Sequence, residues 1–410
     1  MQRSHKVVMS LAAGAVILAV GGPATAKVEG DTIILGSAIS LTGKYSTNGE
    51  NTQRGYDLAV KRVNEMGGVK VGGKTYKIKV VYYDDESTGA RAAQLAERLI
   101  KQDGIKFMLG PYSSGMTKAV APVTEKYNVL MVEAEGASRS LFTQGFKNMF
   151  AVLSTSEQYL RDAIGLAVEM AEKEGRKGSD LKLAMLFEND PFSLDVRAGV
   201  LEDAKKYGIK VIIDDKMPRD LNDISATLTK VRALKPDILT ISGHTKGAVT
   251  AGRQIKELQI QVPMIAITHC ESAKVIEKYG AAVEGFLCPT QWAETMSYEG
   301  KYFGSARKFF DDYTKEYGDN PPYQAAQASA AVLVWKEAFE RANSFDTDKL
   351  RAALNATDMR TFYGGIKFDA SGKNMAKPMA LRQIQGGKLH VVAPSKFAAK
   401  KLVHPRQVTY

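Results

Sequence analysis

From residue 31 onwards, short apolar runs typical of strands alternate with longer segments of helical spacing, and this alternation constrains the fold more than any other feature. The first predicted strands are 31–40, 76–84, 107–110 and 129–132, and a helix is predicted after each of the first three. Repeated strand–helix units are typical of a parallel sheet that is covered by helices on both faces. The sequence therefore predicts a doubly wound α/β unit in the first part of the chain.

A second set of the same kind begins near residue 157, with strands predicted at 181–188, 209–214, 237–241 and 263–267. No long stretch of proline, glycine or serine separates the two sets, which indicates a hinge of short crossovers and not a flexible tether. Helices are predicted near 300–317 and 322–343.

The end of the chain has a different pattern. Two alternating runs, 379–385 and 388–393, flank Gly386 and Gly387, and such a glycine pair is typical of a β-hairpin. The residues after Pro394 are basic, and we expect them to be loosely ordered.

The first residues have the pattern of a secretory signal peptide. Arg3 and Lys6 precede an apolar run over 7–20, and residues 24–26 read Ala-Thr-Ala, an A-x-A cleavage pattern. The apolar run of about 14 residues is shorter than the ~20 residues that a helix needs to cross a bilayer. We therefore predict a signal peptide over residues 1–26 and export to a periplasm.

Cys270 and Cys288 are the only cysteines in the chain. Neither follows the predicted signal peptide closely, so we expect a soluble periplasmic protein that carries no lipid anchor. The two cysteines lie 18 positions apart, near the ends of two predicted strands, and an oxidising compartment would allow one disulfide. The sequence leaves open whether they pair, and these two residues alone do not indicate a metal site.

The formal net charge of +11 would suit a nucleic acid or another anionic surface as a partner. However, lysine and arginine are spread along the whole chain and are mixed with acidic residues on the predicted helix faces. We interpret the charge as that of a solvated surface and expect no nucleic-acid partner.

Enzyme motifs are absent from the sequence: it has no G-x-S-x-G elbow, no Walker A loop, no G-x-G-x-x-G after the first strand and no H-E-x-x-H. We therefore expect no catalytic residues, no cofactor and no metal site, and a binding function is the main interpretation.

Loops that follow the predicted strands are the candidate binding site, because ligands of open parallel sheets bind beyond the carboxyl ends of the strands. The loop 110–117 leaves a buried strand and opens a helix, where the hydroxyls and amides of Ser113 and Ser114 could hold an anionic oxygen. The same serines could equally cap a surface helix. The other candidate loops carry, in chain order, Glu135, Phe192, His244 and His269.

Several motifs occur in the same order as in the branched-chain amino-acid binding protein family, which the chain resembles over nearly its whole mature length. They are IILGSAISLTG at 33–43, NEMGG at 64–68, YYDD at 82–85, GPYSS at 110–114, ENDPF at 188–192 and EGFL at 284–287. The resemblance implies a type I periplasmic binding protein fold, with two doubly wound, mostly parallel α/β lobes joined by three crossovers. We expect the crossovers near 153–156, 289–292 and 377–380.

The same resemblance implies how the chain divides between the lobes. The N-terminal lobe is expected to comprise 27–153 and 291–378, and the C-terminal lobe 154–290 and 379–394. Residues 395–410 are left as a basic C-terminal tail.

Transferred by position, the loop with Ser113 and Ser114 resembles the site for a ligand carboxylate. Asn48, Tyr112 and Tyr323 fall where the family lines the pocket from the first lobe. Phe192 falls where an aromatic ring covers the ligand from the second lobe, and Glu135 and Gly136 belong to a neighbouring loop of the first.

Three departures from the family pattern concern the ligand. Ala137 stands where amino-acid binders have a hydroxyl residue, and His244 stands at an aromatic hydroxyl position. Thr268, with His269 and Glu271 nearby, stands where the family places an acid for the ligand ammonium. Glu135 or Glu271 would have to supply that charge; otherwise the ligand lacks an amino group, because a buried ammonium without a partner is costly.

The resemblance implies a monomer that is not an enzyme, that closes on a small molecule and that delivers it to an inner-membrane ABC permease. A branched-chain or hydrophobic amino acid is the first expected ligand. Aromatic or aliphatic carboxylates, or amides, without an amino group are the alternative. A ligand sensor that docks onto a membrane signalling receptor shares the fold and is a further alternative.

Overall fold

The computed structural model describes residues 28–219, 222–408 and 410. The predicted signal peptide, residues 1–26, lies outside these residues. None of the described helices combines the length and the apolar character that a membrane crossing requires. The helices are α1 (Ser46–Glu65), α2 (Gly89–Lys101), α3 (Ser114–Lys126), α4 (Arg161–Lys173), α5 (Pro191–Tyr207), α6 (Ser225–Leu234), α7 (Thr245–Glu257), α8 (Ala273–Tyr279), α9 (Ala306–Tyr317), α10 (Tyr323–Ala342) and α11 (Thr347–Asn355).

A first seven-stranded sheet organises the first lobe. Its strands are β1 (Val28–Glu29), β2 (Thr32–Ile39), β3 (Val69–Val71), β4 (Lys74–Asp84), β5 (Phe107–Leu109), β6 (Leu130–Glu133) and β7 (Met149–Ala151). The strand order is β3-β4-β2-β5-β6-β7, with β1 beside β2, and only β1 and β3 pair in an antiparallel direction. Ile33 packs in one core with α1 and α10, whereas its neighbour Ile34 packs in another with α2 and α3, so helices cover both faces.

A second seven-stranded sheet organises the second lobe. Its parallel strands are β8 (Lys182–Glu188), β9 (Lys210–Met217), β10 (Ile238–Ser242), β11 (Met264–Ile267) and β12 (Leu287–Thr290). Two short hairpins follow, β13 (Glu299–Gly300) with β14 (Gly304–Ser305) and β15 (Asp358–Thr361) with β16 (Gly364–Lys367). Then β17 (Ala380–Gln385) and β18 (Lys388–Ala393) add an antiparallel edge, and the sheet order is β18-β17-β12-β11-β10-β8-β9. Gly386 and Gly387 both have positive φ, as the predicted hairpin requires.

The chain passes between the two sheets three times, after β7, after β12 and after β16, and the three passages contact one another. The Ser154 amide donates to Gln291 Oε1 at 3.1 Å, and Gln291 Nε2 donates back to the Ser154 carbonyl at 3.0 Å. The Ser154 hydroxyl donates to the Lys377 carbonyl at 2.6 Å, and the Lys377 ammonium reaches the Gln291 carbonyl. The predicted fold of two mostly parallel lobes joined by three crossovers is confirmed.

Helix α10 follows the parallel strands of the second lobe in the chain, but it belongs to the first lobe, where it packs along α1. The Ser329 hydroxyl donates to the Gly55 carbonyl at 2.6 Å. A Cβ atom on Gly55 would collide with the backbone of Ala325, so the close approach of the two helices requires glycine at this position.

Cys270 and Cys288 form a disulfide, with their Cα atoms 5.3 Å apart. Strands β11 and β12 are parallel neighbours, and their pairing brings the loop after β11 beside β12. This resolves the question that the sequence left open. The disulfide also anchors the loop that carries His269.

Two local expectations are wrong. The described residues after Pro394 pack against the second lobe and are not a loose tail. The buried Arg406 guanidinium donates to the carbonyls of Ala282 at 2.8 Å and Glu284 at 3.2 Å. It also lies over the ring of Phe286. The helix predicted from about residue 300 begins at Ala306 instead, where the Ser305 side chain caps it after the hairpin of β13 and β14.

Candidate ligand-binding site

Residues that follow the carboxyl ends of strands in both sheets meet between the lobes and line a small cavity. Its wall consists of Tyr112, Ser114, Glu135, Tyr159, Phe192, His244, His269, Tyr323 and Gln327. Most of these side chains carry an aromatic or imidazole ring, and all are buried. The cavity therefore offers flat ring faces together with many hydrogen-bonding groups, which eight of the nine side chains carry.

The structure brings together many of the predicted site residues but not all of them. Those in the cavity wall are Tyr112, Ser114, Glu135, Phe192, His244, His269 and Tyr323. Those that the cavity wall does not include are Asn48, Ser113, Gly136, Ala137 and Thr268. Tyr159 and Gln327 line the cavity although the sequence analysis did not single them out.

Three of the predicted residues that are absent from the wall are engaged in local hydrogen bonds. The Ser113 side chain caps α3 by accepting from the Met116 amide at 3.4 Å. The Thr268 hydroxyl donates to the Gly243 carbonyl at 2.8 Å, so it holds the end of β10. The carbonyl of Ala137 accepts from the Ser156 amide at 2.8 Å.

The first turn of α3 presents donors to the cavity. A helix leaves its first amides without helical partners. The Ser114 hydroxyl accepts a hydrogen bond from the Ser138 amide at 3.0 Å, so its own proton can be donated elsewhere. This end of the cavity is suited to a carboxylate.

Two histidines of the second lobe contact tyrosines of the first. The Tyr112 hydroxyl lies 2.9 Å from His244 Nδ1 and 3.2 Å from His269 Nε2, and the Tyr323 hydroxyl lies 3.3 Å from His269 Nε2. His269 Nδ1 lies 3.0 Å from the Gly243 carbonyl, which can only accept, so Nδ1 carries the proton and Nε2 is an acceptor. Burial, with the nearby His244, lowers the pKa of His269 to about 3, and the ring is therefore neutral.

Two acidic side chains lie on the first-lobe side of the cavity. Glu135 lines the wall and accepts hydrogen bonds from the Thr52 hydroxyl at 2.9 Å and from Gln327 Nε2 at 2.7 Å. Burial raises its pKa well above the ordinary value, and the charge of Glu133 adds to this. Burial also raises the pKa of Glu133 to about 7. Burial thus favours the neutral form of Glu135 unless a cation lies next to it.

Comparisons with known proteins agree with this architecture. A family model described as periplasmic binding protein matches residues 32–388. The protein named Leu/Ile/Val-binding protein homolog 7 from Brucella suis biovar 1 is 25% identical over 426 aligned positions, which cover 98% of this chain and 99% of that protein.

Two solved structures share the fold. The branched-chain amino acid transporter substrate binding protein LivJ from Streptococcus pneumoniae, in complex with isoleucine, superposes with a TM-score of 0.76 at 21% identity, covering 91% of this chain and 100% of that chain. A solute binding protein of an ABC transporter from R. palustris, in complex with benzoate, superposes with a TM-score of 0.74 at 20% identity, covering 92% and 97%. At these identities the likeness concerns the fold.

The family match covers most of the chain, and the architecture has the two lobes and three crossovers that the sequence motifs implied. The chain belongs to the periplasmic binding protein family.

Proposed function

We propose that this ABC transporter substrate-binding protein takes a small carboxylate with an aromatic or aliphatic body and no amino group. The observation that carries the proposal is the composition of the cavity wall, which consists mainly of rings and in which Glu135 is the one acidic side chain. Burial raises the pKa of that acid well above its ordinary value, which favours its neutral form when no cation lies beside it. A ligand ammonium would need an ionised partner, since burying an unpaired charge is costly.

The other groups expected near a ligand ammonium are engaged elsewhere. The Thr268 hydroxyl is bonded to the backbone of the neighbouring strand end. Glu271 is half-buried and lies outside the cavity wall, and desolvation raises its pKa to about 7 although the Arg382 charge acts in the opposite direction. The benzoate complex of a protein with the same fold supports an acid of this class.

An amino acid of the branched-chain class is the second candidate, and Glu135 is the observation that favours it. An ammonium placed against this carboxyl would promote its ionisation, because a nearby opposite charge stabilises the charged form. The name of the Brucella relative and the isoleucine in the S. pneumoniae complex support this candidate.

For either ligand class, we propose the same mode of binding. The carboxylate lies against Ser114 at the start of α3, and the body lies between Tyr112 and Phe192. Closure of the two lobes about the three crossovers then buries the ligand. The N-terminal lobe comprises 27–153 and 291–378, and the C-terminal lobe comprises 154–290 and 379–394. The closed monomer then delivers its cargo in the periplasm to an inner-membrane ABC permease.

A thermal-shift screen of refolded, ligand-stripped protein tests the ligand class. We expect benzoate or related acids to raise the melting temperature, because ligand at about 100 times its Kd stabilises the folded form by about 2.7 kcal/mol. Leucine and isoleucine should produce little shift. The variant Glu135→Gln serves as the control, since it should bind the aromatic acid as well as the native protein does.

The opposite pattern selects the second candidate. If only amino acids raise the melting temperature, and Glu135→Gln abolishes that shift, Glu135 is the ammonium partner and the amino-free class is wrong.

Replacing Ser114 by alanine should weaken binding of the carboxylate by about 1–3 kcal/mol, because a hydrogen bond to a charged group is lost. Titration calorimetry with the acid found in the screen measures the change. Ser113→Ala is the matched control: it removes a helix cap worth about 1 kcal/mol of stability but should leave the affinity within about twofold of the native value. Equal affinities for Ser114→Ala and the native protein would remove Ser114 from the site.

A further inference from the structure

Glu188, Asp190 and His244 form a compact group on the second lobe, beside the ligand cavity. Glu188 ends β8, Asp190 precedes α5 and His244 precedes α7. One ligand atom from each residue lies within 4.8 Å of the others, and all three side chains are buried. We propose that this group binds a divalent transition-metal ion of the Zn²⁺ type.

Unsatisfied polar atoms are the first argument for a bound cation. Glu188 Oε2, Asp190 Oδ2 and His244 Nε2 are all buried and have no hydrogen-bond partner within the described part of the chain. Buried polar atoms are normally paired, and three unpaired ones on side chains whose ligand atoms lie within 4.8 Å of one another are unusual. A cation among them would satisfy all three at once.

The chemistry of the donors is the second argument. One imidazole nitrogen and two carboxylate oxygens are ligands that Zn²⁺ commonly takes, at about 2.0–2.2 Å. Ligand atoms of a tetrahedral ion at that bond length lie about 3.3 Å apart, and Asp190 Oδ1 lies 3.6 Å from His244 Nε2. Asp190 Oδ1 already accepts from the Phe192 and Ser193 amides, which hold the carboxylate in place.

Positive charge next to the group acts in two ways. The Lys44 ammonium, from the first lobe, forms an ion pair with Glu188 Oε1, and it also reaches the Arg219 carbonyl. The ion pair holds the Glu188 carboxylate at the group, and the same ammonium repels a cation and limits its affinity.

A metal ion here would also define the hydrogen bonding of the cavity. His244 presents Nε2 to the acidic group and Nδ1 to Tyr112. Coordination through Nε2 leaves the proton on Nδ1, so the ring becomes a fixed donor towards the cavity. Metal occupancy and ligand selectivity are therefore coupled through one imidazole.

The test uses the complete disulfide-bonded chain, purified without a histidine tag and stripped with a chelator. Zn²⁺ alone is titrated by calorimetry, and Co²⁺ is titrated by its visible absorption, which reports nitrogen and oxygen ligation. We expect one site per chain. His244→Gln and Asp190→Asn should each weaken binding by about 100-fold or more, since even outer-shell changes cost 10–100-fold; the asparagine keeps an oxygen for the helix cap.

Two further variants make the result specific. Lys44→Gln should bind Zn²⁺ about tenfold more tightly, because the repelling charge is removed. His390→Gln, which changes a histidine of β18 outside the group, should bind as the native chain does. Circular dichroism of the metal-free variants confirms folding. No binding by the native chain, or binding that neither His244→Gln nor Asp190→Asn weakens, overturns the proposal, and neither result depends on the identity of the organic ligand.

Discussion

Replacing Lys377 by methionine should raise the free energy of unfolding by about 3 kcal/mol near pH 6 and lower it by about 1 kcal/mol near pH 11. Burial, with a smaller contribution from Lys396, lowers the pKa of Lys377 in the folded protein to about 7. In the unfolded chain the pKa of a lysine is about 10.4. Between these two values the unfolded chain binds a proton that the folded chain does not, so the stability that Lys377 confers rises with pH.

The sign change follows from two effects of the substitution. Below pH 7 the native protein carries a buried ammonium, and at about 1.4 kcal/mol per pKa unit its cost exceeds 4 kcal/mol; methionine removes this cost. At every pH the substitution also leaves the Gln291 carbonyl without its donor, which costs about 1 kcal/mol. Near pH 11 the lysine is largely neutral in the unfolded chain as well, so only this second effect remains.

Urea unfolding at a series of pH values measures the two profiles. The buried Glu133 and the half-buried Glu271 have raised pKa values, so their contribution to stability falls as the pH rises towards 7. Both proteins share that contribution, and it cancels in the difference. Lys373→Met, at a more exposed lysine nearby, is the control and should follow the native profile within about 0.5 kcal/mol. A Lys377→Met profile parallel to the native one would show that the lysine is not buried as a titrating group.

Replacing Cys270 and Cys288 together by alanine should lower the free energy of unfolding by about 3 kcal/mol, because closing a loop of this size constrains the unfolded chain by that amount. The two cysteines lie 18 positions apart. Chemical denaturation of the variant and of the native protein, with and without reductant, measures the loss.

A functional consequence accompanies the loss of the disulfide. His269 precedes Cys270 directly and has a left-handed backbone, with a φ of 63°. Without the disulfide this loop is less constrained, so the double variant should also bind ligand more weakly at temperatures where it remains folded. The reduced native protein is the control and should behave as the variant does. A variant as stable as the oxidised native protein would contradict the entropic argument.

Much of the fold could be predicted from the sequence, because apolar periodicity and turn residues act locally. The strand that became β8 and the hairpin at Gly386 are examples. Longer-range effects could not be predicted in this way. Residues 395–410 have the basic composition of a loose tail. The Arg406 guanidinium is buried because its partners are carbonyls of a loop that is distant in sequence, and composition alone does not indicate them.

The residues of the candidate site likewise include some that local sequence features predict and others that they do not. Loops after strands pointed to Ser114 and His244, because the position of a loop follows from the order of strands and helices. Tyr159 and Gln327 belong to no motif, and they reach the cavity because a crossover and α10 pass beside it. The group of Glu188, Asp190 and His244 likewise has no recognisable spacing, since the distance between its members is set by β8 lying next to β10.

The packing of α10 against α1 has a consequence for the order in which the chain acquires its structure. The Gly55 and Ser329 partners are separated by 274 positions, and the parallel strands β8–β12 lie between them. Contacts that are so distant in sequence form slowly, because a long loop must close first. During synthesis, the central strands can therefore assemble early, whereas the first lobe stays incomplete until α10 has been made. Until α10 packs against it, the contact face of α1 stays exposed to solvent, and this face is the surface that a holding chaperone would protect.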